Sequence, residues 1–302
     1  MTLAKIEQVI SELTFCTRQQ SFDNKCVLCK QRMREEIRRF IDQQQAFHFV
    51  LPAFPAKSAN RLKTISELPD LGERLALLNL QHMLTKLNQL YQPGATLTIC
   101  SDGHVFNDVV MVDDSAVDSY QDSLVDLARQ LNCHYIDFFS LQDHYPTQTL
   151  EEIRAQLIND YGQPLEEIKQ NVLAKPDERL MFNGLHKFLL DDLLFFYNDL
   201  SKNKIRKLAK VKTYQTIQRS HSWSALVAQQ FPEAIRLSIH AHDCAQNKIF
   251  IKLIAQSEQD ATPWHNVVVK SQEKYMLMKR KFAIKLGAVL KDEGSLGAYY
   301  AL

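Results

Sequence analysis

The sequence predicts an α/β protein with a Rossmann-like, mostly parallel sheet and a helical insertion that caps it. Strand-like apolar runs alternate with amphipathic helical runs over residues 47–139, and strands joined in this way lie parallel through right-handed crossovers. Between residues 149 and 230 the pattern is almost entirely helical. A chain of 302 residues with 45% apolar side chains is long enough to bury a core around such a sheet.

The amino-terminal part of the chain is predicted to be helical. Apolar residues recur at helical spacing in residues 1–14, and a second amphipathic helix with a charged outer face is expected over residues 28–45. We therefore divide the chain into an N-terminal helical segment, residues 1–45, and a catalytic domain, residues 46–302. The helical insertion occupies about residues 141–231 of that domain.

The remaining predicted elements follow in chain order. The first half of the domain has strands at residues 47–51, 96–100, 109–112 and 133–139, with helices at 71–91 and 114–132. Helices of the insertion are expected at residues 150–161, 165–173, 177–200, 201–217 and 222–231. Strand character returns at residues 234–240, 248–255 and 266–270.

Charge and motif content argue against several classes of protein. The formal net charge of +1 gives no electrostatic reason to expect nucleic acid or a membrane as a partner. The scattered glycines form neither the dinucleotide-binding G-x-G-x-x-G pattern nor a P-loop. Charges interrupt both the amino terminus and the apolar segment 185–200, the latter at Lys187, Asp191, Asp192 and Asp199. We therefore expect a cytoplasmic protein without a signal peptide or membrane span.

The six cysteines are expected to be reduced thiols, since no secretory signal accompanies them. Cys26 and Cys29 form the single C-x-x-C pair, which needs two further ligands to hold zinc. Cys16 and His48 are available, but that spacing matches no familiar zinc module. We therefore expect neither a metal nor another cofactor.

Polar residues follow the predicted strand at 96–100 directly. Ser101, Asp102, His104 and Asp108 stand in and just after a Ser-Asp-Gly turn. In open α/β sheets, ligands bind beyond the carboxyl ends of the strands, so these four residues are candidates for a site. The alternative is an ordinary junction between a strand and a loop.

The loop after the first predicted strand carries two prolines and two cations. Pro52 and Pro55 fix an extended path and hold Lys57, Ser58 and Arg61 in place. Arginine binds a phosphate or carboxylate bidentately and lysine acts as a point charge, so this loop suits an anion. A rigid surface turn with two solvated cations is the alternative.

Three later segments also carry polar candidates. Arg236, Ser238 and His240 alternate along a predicted strand and so share one face, which is either exposed to solvent or a polar site. Trp264 and His265 follow a proline and offer a stacking wall and an acid or base; lid packing and a backbone-bonded histidine are the alternatives. Six cations between Lys202 and Lys212 form either an anion-attracting patch or a solvated helix face.

These motifs together resemble one family. Residues 51–58 (LPAFPAKS), 99–108 (ICSDGHVFND), 234–240 (AIRLSIH) and 262–265 (TPWH) are similar, in that order, to motifs of the pyoverdine/dityrosine biosynthesis family. Residues 219–224 (RSHSWS) extend the resemblance, which covers the chain from about residue 26 onward. The family contains the bacterial isonitrile synthases. One departure is Ala241-His242-Asp243, where a Pro-Gln-like continuation is expected.

The resemblance implies a Rossmann-like domain and a reaction without a redox cofactor. The amino group of an aromatic amino acid condenses with the ketone of ribulose 5-phosphate, and later carbon–carbon cleavages leave the former C2 as the isonitrile carbon. We favour tyrosine over tryptophan as the amino acid. The resemblance also implies an iron/2-oxoglutarate oxygenase as a pathway partner.

The candidate residues receive roles from that chemistry. Catalytic candidates are Lys57, Asp102, His104, His240 and His265. Substrate-binding candidates are Ser58, Arg61, Ser101, Asp108, Arg236, Ser238 and Trp264. The cations suit the sugar phosphate, whereas the acids and histidines suit proton transfer.

Two other functions remain open on the sequence alone. One is a different phosphosugar- or nucleotide-using enzyme on a Rossmann-like fold, because a fold does not fix its chemistry. The other is a non-catalytic, zinc-containing binding protein whose basic helices dock a partner.

Overall fold

A five-stranded parallel sheet forms the centre of the computed structural model, which describes residues 4–6, 8, 27–240, 248–254, 257, 261–294 and 297–302. The strands lie in the order β3-β2-β1-β4-β5, and every neighbouring pair is parallel. Their bounds are β1 Phe47–Pro52, β2 Ala95–Cys100, β3 Ile136–Phe139, β4 Ile235–Ser238 and β5 Ile249–Phe250. The predicted α/β class with a mostly parallel sheet is confirmed.

One face of the sheet packs against helices from the first half of the chain. These helices are α1 Val27–Asp42, α2 Leu71–Leu90 and α4 Asp114–Gln130. The short helix α3, Gly103–Phe106, follows β2, and its Val105 and Phe106 pack with the insertion helices instead. Phe49, Leu97 and Ile99 of the sheet are fully buried against Leu77 and Leu84 of α2. Helix α2 starts at a capping box, in which Asp70 binds the N–H of Gly72 and Glu73 binds the N–H of Asp70.

Helices from the insertion cover the opposite face. Between β3 and β4 lie α5 Leu141–His144, α6 Leu150–Tyr161, α7 Leu165–Ala174, α8 Pro176–Phe196 and α9 Lys202–Gln230. Val50 and Cys100 of the sheet pack against Trp223, Leu226 and Val227 of α9. Helix α9 is continuous over 29 residues, so the prediction of two helices at 201–217 and 222–231 is wrong. The polar residues 218–221 include no proline or glycine and continue the helix.

A second sheet follows the parallel one. A short 3₁₀ helix, Pro263–His265, leads into β6 Val267–Ser271, β7 Lys274–Met278, helix α10 Arg280–Lys285, β8 Val289–Asp292 and β9 Ala298–Ala301. The order of its strands is β7-β6-β9-β8, with antiparallel outer pairs and a parallel central pair. The predicted strand at 266–270 is therefore present, but it belongs to this separate sheet.

Two further strand predictions need correction. Residues 109–112, predicted as a strand, form turns: the N–H of Val109 bonds Phe106 O and that of Val112 bonds Asn107 O. These local bonds leave the segment outside the ladder. The strand predicted at 248–255 is shorter: β5 covers Ile249–Phe250, and the N–H of Ile251 makes a last bond to Ser238 O, where β4 ends.

Some predictions concern residues whose placement is not described. Most of the helix predicted at 1–14 lies there, as do Cys16, Cys26 and the departing segment 241–247; for Cys29 only the backbone is described, within α1. Within the described ranges, no group of three or more metal-ligating side chains gathers, and no helix is long and apolar enough to span a membrane.

Candidate active site

The loops that follow β1 and β2 meet at the carboxyl edge of the parallel sheet. In the strand order, β1 lies between β2 and β4. The chain adds β2 and β3 on one side of β1 and then adds β4 and β5 on the other side, which leaves a crevice beyond the end of β1. Open α/β sheets bind ligands in such a crevice. The Ser101 hydroxyl donates to the carbonyl of Phe54 at 2.9 Å, which joins the loops after β2 and β1. The N–H of Ser58 donates to Trp264 O at 2.8 Å and adds the 3₁₀ helix. Segments separated in the sequence therefore converge.

Asp102 presents a buried carboxyl at this edge. Its Oδ1 atom has no hydrogen-bond partner among the residues that the structure describes. Burial raises its pKa to about 7, which suits a group that gains and loses a proton near neutral pH. The next residue must be small, because a Cβ on Gly103 would collide with the carbonyl oxygen of Pro55.

Lys57 lies in a buried ionic network. Its Nζ is 2.8 Å from Asp70 Oδ2, 2.8 Å from Glu73 Oε2 and 3.0 Å from the carbonyl of Pro263. Burial opposes the charged ammonium, but the two carboxylates outweigh it and raise the pKa of Lys57. All three N–H directions are occupied. In this arrangement Lys57 fixes the loop after β1 to the 3₁₀ helix and has no free donor for a substrate.

His265 lies beside this network. Its Nδ1 atom is buried and has no hydrogen-bond partner within the described part of the chain, and its ring centroid is 4.7 Å from that of Phe188. Burial, with Lys63 and His240 nearby, holds the pKa of His265 well below its usual value. The imidazole is therefore neutral. Trp264 is 3% exposed and packs against Phe54 at 5.1 Å, so its indole belongs to the core rather than to an open stacking wall.

The polar face of β4 also reaches the edge. Arg236 donates to the carbonyl of Ser224 at 3.2 Å and to its hydroxyl at 3.4 Å, while its Nε is buried without a partner in the described chain. The Ser238 hydroxyl donates to His240 O at 2.9 Å. His240 is exposed, and its charge contributes to the lowered pKa of His265. The predicted alternation along β4 is observed.

Other predicted residues point elsewhere. His104 is buried between Asp114, 3.3 Å from Nδ1, and Asp118, 2.9 Å from Nε2, so both ring nitrogens face α4. Asp108 is paired bidentately with Arg219. Arg61 binds the Glu67 carboxylate at 2.5 Å. In this structure these three residues engage protein groups.

A buried lysine at the edge was missed by the sequence analysis. Lys63 Nζ is 2.6 Å from Asp192 Oδ1 and lies 4.0 Å from the centroid of the Phe188 ring. Asn60 also donates to Asp192, at 2.8 Å, so α8 is tied to the loop after β1. Burial lowers the pKa of Lys63. Adjacent aspartates in an otherwise apolar helix were the available signal, because a buried carboxylate requires a cationic partner.

Helix α9 supplies further missed residues. Trp223 is 2% exposed, stacks on Phe139 at 5.9 Å, and its Nε1 has no hydrogen-bond partner among the described residues. Arg219 donates to the carbonyl of Val105 at 3.0 Å as well as to Asp108. The motif at residues 219–224 could have identified these residues from the sequence. It lies on α9, on the side of the carboxyl edge that the insertion covers.

Comparison with known proteins gives consistent matches. Residues 37–289 match the family described as pyoverdine/dityrosine biosynthesis protein. The L-tryptophan isonitrile synthase AmbI2 of Fischerella ambigua is 38% identical over 97% of this chain and 88% of its own. The L-tyrosine isonitrile synthase of Pseudomonas aeruginosa is 37% identical over 88% of this chain and 82% of its own. The crystal structure of PvcA from Pseudomonas aeruginosa aligns over 100% of both chains, with a TM-score of 0.91 and 34% identity.

Proposed function

The chain belongs to the pyoverdine/dityrosine biosynthesis family and is an enzyme of the isonitrile synthase type, and we propose that it condenses an aromatic L-amino acid with ribulose 5-phosphate. The amino nitrogen attacks the ketone carbon, and loss of water gives an imine. Later carbon–carbon cleavages leave that carbon as the isonitrile carbon. The observation that carries this proposal concerns Asp102 after β2, Arg236 on β4 and His265 in the 3₁₀ helix that bonds the loop after β1. Each has a buried polar atom that lacks a hydrogen-bond partner within the described residues.

Arg236 is the cation best placed to hold the sugar phosphate. The sequence offers Lys57, Arg61 and Arg236 for this role, but Lys57 and Arg61 are ion-paired with carboxylates. Arg236 donates instead to the neutral backbone and hydroxyl of Ser224. A guanidinium that contacts neutral groups retains its charge for a phosphate.

Asp102 and His265 are the groups proposed for proton transfer. Imine formation requires a proton for the departing hydroxyl and a base for the amine. A carboxyl with a pKa of about 7 serves as donor or acceptor at neutral pH. The neutral His265 ring accepts a proton, and the exposed His240 lies near it.

The choice between tyrosine and tryptophan stays a prediction. The tryptophan- and tyrosine-specific relatives are 38% and 37% identical to this chain, so overall identity does not select between them. We keep tyrosine as the preferred amino acid. We expect a higher kcat/KM with tyrosine, and a higher value with tryptophan would reverse this preference.

The direct test is product formation by the purified protein. It is incubated with ribulose 5-phosphate labelled with ¹³C at C2 and with either amino acid, and the mixture is analysed by mass spectrometry. The proposal predicts an isonitrile that carries the label in its isonitrile carbon, and reactions lacking either substrate serve as controls. An unlabelled isonitrile would exclude ribulose 5-phosphate as the carbon source. No product with either amino acid would favour a different phosphosugar- or nucleotide-using enzyme.

We also propose that an iron/2-oxoglutarate oxygenase consumes the isonitrile. Its basis is the family resemblance of the sequence motifs. Adding such an oxygenase, with iron and 2-oxoglutarate, to the reaction should convert the isonitrile to an oxidised product. Accumulation of unchanged isonitrile would argue against this partner.

A further inference from the structure

Two cations lie side by side on neighbouring strands of the parallel sheet. The β4–β5 register pairs Leu237 with Ile249 and Ser238 with Phe250, so Arg236 and Lys248 occupy the preceding, adjacent positions. Residues at matched positions of neighbouring strands point to the same face. Both side chains are partly buried, and like charges placed opposite each other destabilise a sheet.

Within the described ranges, no carboxylate forms an ion pair with either cation. Arg236 contacts the carbonyl and hydroxyl of Ser224, and its buried Nε is unpartnered there. Burial lowers the pKa of Lys248, and the charge of Arg236 lowers it further. Two partly buried positive charges without a counter-ion are costly, so the arrangement favours an anion between them.

Trp223 adds a third donor on the same face. Val50 is the register partner of Arg236 and packs in one cluster with Trp223. Arg236 also donates to Ser224, the residue that follows Trp223 on α9, so Trp223 lies near Arg236. The indole N–H is buried and, among the residues the structure describes, has no acceptor. A buried donor that lacks an acceptor destabilises the folded protein, and a ligand oxygen would satisfy it.

We propose that Arg236, Lys248 and the indole N–H of Trp223 form one binding site for the phosphate group of the sugar phosphate. Lys248 and Trp223 are thereby further substrate-binding residues. That the bound molecule is a sugar phosphate rests on the proposed function, whereas the affinity of the site for an anion does not. A phosphate dianion matches two cations, whereas the carboxylate of an amino acid carries a single charge. The arginine fork and the lysine point charge are both suited to phosphate oxygens.

The first test measures binding of inorganic phosphate to the full chain by calorimetry and thermal unfolding. Lys248→Met should weaken phosphate binding about tenfold or more, as expected when a charge-assisted hydrogen bond is lost. Its Tm without phosphate should equal or exceed that of the wild type, because the repulsion from Arg236 is removed. Lys248→Arg should retain binding. Lys207→Met, which removes an exposed charge from α9, is the matched control and should leave binding unchanged.

The second test separates the two anionic substrates. With Lys248→Met, the KM for ribulose 5-phosphate should rise while the KM for the aromatic amino acid stays constant. Trp223→Phe, which keeps a ring but removes the donor, should raise the same KM less. A rise confined to the amino acid KM would overturn the phosphate assignment in favour of a carboxylate.

Phosphate binding also keeps this inference separate from the proposed reaction. If the wild type makes no isonitrile but binds phosphate, and Lys248→Met loses that binding, the proposed function fails and the anion site stands. If the variant binds phosphate as tightly as the wild type, or if the wild type binds none, the anion site is overturned whatever the reaction.

Discussion

The two sides of the carboxyl edge treat their charged residues in opposite ways. On the α2 and α8 side, Lys57 lies between Asp70 and Glu73, and Lys63 pairs with Asp192. On the α9 and β5 side, Arg236 and Lys248 have no carboxylate partner in the described chain, and the N–H of Trp223 has no acceptor there. Each cation of the first side therefore has a carboxylate within ion-pair distance, whereas neither cation of the second side has one in the described chain.

From this difference we infer which motif residues contact the substrate. Lys57 and Arg236 both lie in family motifs and both looked equally suited to a phosphate. Their surroundings separate them, because a fully hydrogen-bonded ammonium holds its own loop while an uncompensated cation attracts an anion. We therefore assign positioning to the first side and substrate binding to the second. Asp102 and His265 also have buried atoms without a hydrogen-bond partner in the described chain, and we assign them to proton transfer, although His265 lies on the first side.

Replacing Asp102 should produce the largest change in activity. Asp102→Asn keeps the size of the side chain but cannot exchange a proton, so kcat should fall by about 10²- to 10⁴-fold, the usual contribution of a general acid or base. Circular dichroism and thermal unfolding should show an intact fold. Retention of more than a tenth of wild-type kcat would remove Asp102 from the proton-transfer role.

Replacing Lys57 should instead damage the fold. Lys57→Met leaves Asp70 and Glu73 buried without their cation, and breaking a buried ion pair costs about 3–5 kcal/mol. Urea unfolding measures this loss. The double variant Lys57→Met/Glu73→Gln should recover part of the free energy, because it removes one of the two stranded charges. A Lys57→Met protein with wild-type stability and no activity would show that Lys57 acts in catalysis and would contradict its assignment as a positioning residue.

The pH dependence of the free energy of unfolding should show how much the buried, ionised Asp102 carboxyl destabilises the fold. Its pKa is raised by burial, so the folded state holds a proton that the unfolded state releases. Stability should therefore fall as pH rises from the ordinary carboxyl pKa near 4 to about 7, and level off above it.

Comparing the unfolding free energy of Asp102→Asn with that of the wild type isolates this carboxyl from Glu73, whose pKa is also raised by burial. The variant should gain relative stability across that pH range. A difference that is constant with pH would show that Asp102 titrates normally.

Local pattern was enough to predict the parallel sheet. Buried strands such as β2 are short apolar runs that end at turn residues, and the helices between them have regular apolar faces. The second sheet was largely missed, because β8 is exposed throughout, β7 is mostly half-buried, and neither has a clear alternation of apolar and polar residues. The continuous α9 was divided since its polar middle packs through tertiary contacts that periodicity does not reveal.

The sequence was enough to predict that the site lies at the carboxyl edge, but not which partners its side chains have. Asp102, Arg236 and His265 were identified from motifs and from their positions after predicted strands. The partners of Lys57, which are Asp70 and Glu73 in another element, could not be inferred, because pairing across the fold depends on the relative placement of α2 and the loop after β1. Lys248 was missed because its significance comes from strand register alone.

His104 tests the boundary of the site from the side of α4. His104→Gln removes a ring that contacts Asp114 and Asp118, so unfolding should become easier by about 1–3 kcal/mol. The kcat of the folded fraction should match the wild type, since both ring nitrogens face away from the edge. A large loss of kcat with unchanged stability would move His104 into the proton-transfer group.

Replacing Arg61 should have the smallest effect on stability and on the KM for ribulose 5-phosphate. Arg61 pairs with the exposed Glu67, and such surface ion pairs contribute about 0–1 kcal/mol. Arg61→Gln should therefore leave both stability and the KM for ribulose 5-phosphate near wild-type values, while Arg236→Gln raises that KM. The two variants are matched because each lacks one guanidinium, and steady-state kinetics measures the KM of both. If Arg61→Gln raised the KM as much as Arg236→Gln, the phosphate would span both sides of the edge, because Arg61 would have to leave Glu67 to reach it.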